Sequence, residues 1–120
     1  MIQIPVQAKV FILPKTISEN EPLDDVISAC NECGFNSFSG DIFVFRDEDS
    51  HHIGLLSYDG HGFQWCVKRF SEGKLAWWPS DTDEVVQISP RDLQIIIWGG
   101  NPKEIKLPEM WKPIHEIKNN

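Results

Sequence analysis

The chain has 120 residues, 41% of them hydrophobic, enough for one domain with its own core. Its formal net charge of −7 excludes a broadly basic nucleic-acid binder, so any such contact has to come from a local patch. No segment approaches the roughly 18 apolar residues of a membrane span, and "MIQIPVQAKVFILPK" carries no charged leader before an apolar run; three cysteines, an odd count without a disulfide-dense pattern, lead us to expect a reducing, cytoplasmic setting.

The first strand is expected in "VQAKVFIL" (6–13), which Pro14 closes because it cannot donate to a ladder. Ser18 with Glu21 offers a capping box, and Pro22 suits a first helical turn. A helix over 23–33 follows, with Leu23, Val26, Ile27 and Cys30 at helical spacing and Gly34 as its stop. Asp24 and Asp25 fall at its positive end. After a loop at 35–40 the period becomes strand-like. "DIFVFR" (41–46) is apolar on both faces and reads as a central strand. Further strands are expected at 53–58, 63–70, 74–78 and 83–88. "SPRD" (89–92) starts a second helix: Ser89 caps, Pro90 takes the first position, and Leu93, Ile96 and Ile97 form its stripe. Gly99 and Gly100 end it. Residues 101–120 are expected to form an extended strap, anchored by Ile105, Leu107 and Trp111.

"SYDGHGFQWCVKRF" (57–70) contains the residue types of a reactive loop. Asp59-Gly60 is nonetheless a strong hairpin dipeptide. With two or four residues in the loop, Leu56, Tyr58, Phe63, Trp65 and Val67 share one apolar face, and a one-residue slip would scatter them. This stretch is therefore read as a turn between strands. Leu56, Trp65, Val67, Leu93 and Ile97 are expected to be buried.

Cys30 and Cys33 form C-x-x-C, and Cys66 with His51, His52 or His61 would have to complete a metal site. That spacing fits no zinc-finger pattern, and Cys30 already fits the helix stripe. The three cysteines are read as reduced and structural, with no metal and no other cofactor. No nucleophile elbow, phosphate loop or dinucleotide motif occurs, so no enzyme is expected. Arg46, Lys68, Arg69 and Lys74 lie on or beside strands carrying Trp65, Trp77 and Trp78. Basic residues interleaved with aromatics suit contact with nucleic acid or with a partner. The alternative is a tryptophan core rimmed by charges. Arg46, Lys68, Arg69, Lys74 and Trp77 are the candidate contact residues.

The stretch "FSGDIFVFRDEDSHHIGLLSYDGHGFQWCVKRFSEGKLAWWP" resembles the central signature of the small TnpB-type accessory protein of the IS sixty-six insertion-sequence family. The matching pieces are Phe38-Ser39-Gly40, Phe43 to Arg46, Tyr58-Asp59-Gly60-His61-Gly62, Lys68-Arg69, Gly73 and Trp78-Pro79, and "ISP" opens a similar helix. This family is distinct from the RNA-guided nuclease of the same label. Two departures stand out: the first helix begins in the acidic "TISENEPLDD" instead of a basic stretch, and Tyr58 replaces the usual tryptophan. The resemblance implies a non-catalytic accessory protein of transposition, with the transposase of the same element as partner. It would contact DNA or a DNA-bound transposase complex; as an adaptor it would bind the transposase without touching DNA.

Together these readings predict one α+β domain over 1–120: an antiparallel meander of about four or five strands, with two main helices on one face.

Overall fold

The computed structural model describes residues 8–71, 78 and 84–102. Along the chain run β1 (Val10–Ile12), α1 (Leu23–Glu32), β2 (Ile42–Arg46), β3 (His52–Tyr58), β4 (Phe63–Arg69), β5 (Val86–Ile88) and α2 (Pro90–Ile97). The fold is α+β. One five-stranded sheet has the order β4-β3-β2-β1-β5.

The expected meander is present in β2, β3 and β4, which pair antiparallel in succession. β1 instead pairs parallel with β2, Val10 opposite Ile42 and Ile12 opposite Val44. The sheet is thus mixed. The intervening segment contains α1 and is long enough to return the chain to the same end of the sheet, which a tight hairpin cannot do. β5 closes the far edge antiparallel to β1. The strand expected at 74–78 and the strap beyond 102 lie outside the described residues, apart from Trp78.

The helices do not share a face. Leu93, Ile96 and Ile97 of α2 pack against Val10, Ile12, Ile42, Val44, Ile53 and Leu55. Val26, Ala29 and Cys30 of α1 pack with Phe43, Phe45 and Leu56, which are the alternate residues of the same strands. Successive strand side chains point to opposite faces, so these two clusters are the two sides of one sheet. β2 explains the arrangement. Ile42, Phe43, Val44 and Phe45 are all buried, and both faces of such a strand need a cover.

Local chemistry sets the helix ends. Ser89 Oγ accepts from the Asp92 N–H at 3.1 Å, with Pro90 at the first position, as the sequence suggests. The Ser18 capping box does not form. α1 starts only at Leu23, its N-cap is Pro22, and no side chain caps it; Ser18 instead accepts the Glu21 N–H through its carbonyl in a preceding turn. Both helices end alike. Gly34 and Gly99 take positive φ, and Phe35 and Gly100 donate back to the carbonyls of Cys30 and Ile95. These are Schellman closures, which favour glycine at the turning residue.

Candidate functional site

The β3–β4 hairpin pairs Tyr58 with Phe63, leaving Asp59 to His61 and Gly62 in a four-residue loop. Asp59 closes it: its Oδ1 accepts from the His61 and Gly62 N–H groups at 2.8 and 2.9 Å, and Gly60 supplies φ +94. These two backbone donors hold the Asp59 carboxyl below its ordinary value. The glycine-rich loop is accounted for as a turn.

The pairing also keeps the expected face. Leu56 lies opposite Trp65, and Gly54 opposite Val67. Leu56 is buried, Trp65 is half-buried and Val67 is 40% exposed, against the expectation of burial. Gly54 holds the reason for the half-burial of Trp65. A Cβ built there would lie 2.2 Å from the Trp65 ring, so the indole occupies the space a side chain would fill. Val67, opposite a residue with no side chain, gains no such cover.

The structure divides the candidate basic residues between the two faces. Arg46 and Lys68 both lie opposite Ile53, on the α2 face. The Arg46 guanidinium donates to Ser50 Oγ at 3.0 Å and sits 5.5 Å from the Trp78 ring centroid. The Lys68 ammonium donates to the carbonyl of Ile97 and lies 5.5 Å from the Phe70 ring. Ile97 is the last residue of α2, where the helix dipole is negative and a cation is favoured. Both cations therefore have structural partners. Arg69 lies opposite His52, on the α1 face, and is exposed. Lys74 and Trp77 lie outside the described residues.

Arg69 lines an open cleft of about 580 Å³ between the 16–21 and 47–52 loops. Its surroundings are acidic: Glu19, Glu21, Asp47, Glu48 and Asp49 share the cleft. At its base Asp47 accepts from the His51 and His52 N–H groups, at 2.8 and 3.1 Å, and meets His52 Nδ1 at 2.9 Å. Burial alone would raise the Asp47 carboxyl; these hydrogen bonds outweigh it and hold the carboxyl below its ordinary value. His52 Nε2 faces Glu19 at 2.8 Å, an ion-pair distance but misaligned for a hydrogen bond. Both ring nitrogens thus face carboxylates, and neither is aimed at a hydroxyl or thiol that it would activate.

The cysteines do not converge. Cys30 is buried in the α1 cluster, whereas Cys66 pairs with Leu55 and points to the α2 face. Burial, with Cys33 nearby, pushes the Cys30 thiol up to about 11. Among the described residues no group of three or more histidine, cysteine or acidic side chains is placed to hold a metal ion.

Sequence reading missed one constellation. Phe38, expected only as loop, joins Tyr58 and Phe63 in a triangle with ring centroids 5.0 to 5.1 Å apart. Phe38 remains 59% exposed within it. The available signal was a second phenylalanine, beside Ser39-Gly40, in a loop whose other aromatic, Phe35, packs against the α1 cluster.

Among the described residues no helix is long and apolar enough to cross a membrane. The sequence profile of the IS66 Orf2-like protein matches residues 8–106. The chain is also 30% identical over 78 residues to the uncharacterized protein y4hO of Sinorhizobium fredii (strain NBRC 101917 / NGR234). That match spans 65% of this chain and 65% of the relative's own length. No solved structure gives a significant match. A profile match over most of the chain, in a segment holding both helices and all five strands of the described residues, settles the family: this chain belongs to the IS66 Orf2-like proteins, a family associated with insertion sequences.

Proposed function

We propose that the chain is a non-catalytic accessory protein of transposition that works as an adaptor on the transposase of its own element, without needing DNA. The supporting observation is the disposition of its cations. Arg46 is held by Ser50 and Trp78, and Lys68 is held by the end of α2. Arg69, the exposed member of the described candidates, shares its cleft with five carboxylates. Phosphate binding needs several cations presented together with little opposing charge, and these residues are not so arranged. The net charge of −7 acts in the same direction at long range.

Direct contact with element-end DNA would rest on Arg69 and, beyond the described residues, on Lys74 and Trp77. The two readings separate in one titration of the purified chain against transposase and against element-end DNA. The adaptor reading expects a complex with transposase in the absence of DNA, and no measurable DNA affinity for the chain alone. Tight DNA binding by the chain alone, weakening with salt at a log–log slope near −0.9 per phosphate contacted, would overturn it.

A further inference from the structure

From the Phe38, Tyr58 and Phe63 triangle we infer that this end of the sheet is a docking site for an arginine-bearing basic segment of a protein partner. The inference rests on the adaptor reading and names the surface and the chemistry it recognises.

The triangle is built, not incidental. Two separate parts of the chain supply it: the loop before β2 gives Phe38, and the β3–β4 hairpin gives Tyr58 and Phe63. The loop is pinned from several sides. Asn36 Oδ1 accepts the Phe38 N–H at 3.0 Å, and Asn31 Oδ1 accepts the Ser37 N–H at 3.4 Å. Ser37 is buried while its neighbour Phe38 is exposed. Gly40 turns the loop at φ +87, a conformation that favours glycine, within ordinary contact of the Tyr58 carbonyl. A large aromatic ring is thus held toward solvent in a fixed place. Such rings are strong binding anchors, because little side-chain freedom remains to be lost on association.

The rim decides the partner. Asp41 follows Phe38 in the same loop, and its carboxylate accepts from Ser39 Oγ at 3.0 Å. Asp59 directly follows Tyr58 and is held by two backbone N–H groups. Two carboxylates fixed in the same loop and hairpin that carry the rings suit a guanidinium, which stacks on ring faces while its N–H groups reach carboxylate oxygens. A nucleic acid strand would also find rings to stack on, but its phosphates would meet the aspartates. A second copy of this chain would bring its own acid rim against this one, on bodies each carrying −7. Charge complementarity therefore selects a basic protein segment.

The test uses the full chain and two probes. The first probe is a short glycine–serine peptide bearing alternate arginines, with lysine and glutamate versions as controls. It is titrated into the isotopically labelled protein and followed by amide chemical shifts. Shifts should centre on Phe38, Tyr58 and Phe63, and the affinity order should be arginine, then lysine, then glutamate. Phe38→Ala, at a site 59% exposed, should leave the fold intact and weaken arginine-peptide binding about tenfold or more. Asp41→Asn with Asp59→Asn should weaken it further at low salt than at high salt. Shifts elsewhere, or glutamate peptide binding as well as arginine peptide, would overturn the inference. So would an oligonucleotide complex or a self-dimer that Phe38→Ala abolishes.

The second probe is the transposase. A complex weakened about tenfold by Phe38→Ala supports the site. A complex unaffected by Phe38→Ala overturns the site and leaves the adaptor reading standing. Arginine-peptide binding at the rings with no transposase complex supports the site and removes the adaptor reading.

Discussion

Single side chains here do work that their types only partly advertise. Asp47 is an acidic loop residue in the sequence, but in the fold it organises the 47–52 turn through two backbone N–H groups and the His52 ring. Asp47→Asn should cost about 1–3 kcal/mol at neutral pH, because the amide oxygen is a weaker acceptor and one contact to His52 becomes mismatched. The pH dependence has a definite sign. A carboxyl held low in the native state stabilises above its unfolded value, 3.8 here, and that contribution fades as pH falls through the lower native value. The difference between wild type and Asp47→Asn should therefore be full at pH 7 and shrink below about pH 4 in urea titrations. A difference constant down to pH 2 would refute this. Cys30 makes the opposite case. Its thiol is buried and pushed up to about 11, so a thiol reagent at pH 8 should modify it only when the protein opens. Labelling of native Cys30 as fast as a free thiol would contradict the packing of α1.

At the scale of elements, register and capping carry the argument. Gly54 lies in mid-strand, where glycine is usually a weakness, but the Trp65 indole lies over it and against Phe45. Gly54→Ala should force the ring off its seat and cost about 1–3 kcal/mol, with a change in tryptophan fluorescence. In the Trp65→Ala background the same substitution should cost much less, and equal costs would show that the ring is not the obstacle. α2 is stabilised at both ends by named side chains. Ser89→Ala removes the N-cap and should cost about 1 kcal/mol. Lys68→Met keeps most of the apolar stem but removes the cation from the C-terminal end of the helix. It should cost about 1–2 kcal/mol in chemical denaturation. A neutral outcome would return Lys68 to the set of freely available cations.

For the whole molecule, the decisive feature is a sheet buried on both faces. Val26 of α1 and Ile96 of α2 are each fully buried, in separate clusters on opposite sides of β2. Val26→Asp and Ile96→Asp should each cost more than about 4 kcal/mol, because an unpaired carboxylate is trapped in an apolar layer. Neither should show the wild-type cooperative melt by circular dichroism. A fold with both helices on one face would leave the other side of the sheet in water, and β2 would then have to expose two of its four buried residues.

What the sequence determined by itself was local. The hairpin loop at Asp59–Gly62, the Ser89–Pro90 helix start, the glycine stops at Gly34 and Gly99, and the burial of 42–45 on both faces are short-range consequences of backbone preference and side-chain period. The family was equally legible, because its signature is an ordered run of such pieces. Four things were decided only by tertiary structure. The parallel placement of β1 depends on where α1 finds an uncovered face, which no window of sequence contains. The capping box at Ser18 fitted its pattern, yet the helix begins only after Pro22. The candidate cations were adjacent in the reading, yet strand alternation sends Lys68 to the end of α2 and Arg69 into an acidic cleft on the other face. The Phe38 triangle was hidden for the same reason: 20 residues separate Phe38 from Tyr58, and only the pairing of β2 with β3 brings their rings to 5.0 Å.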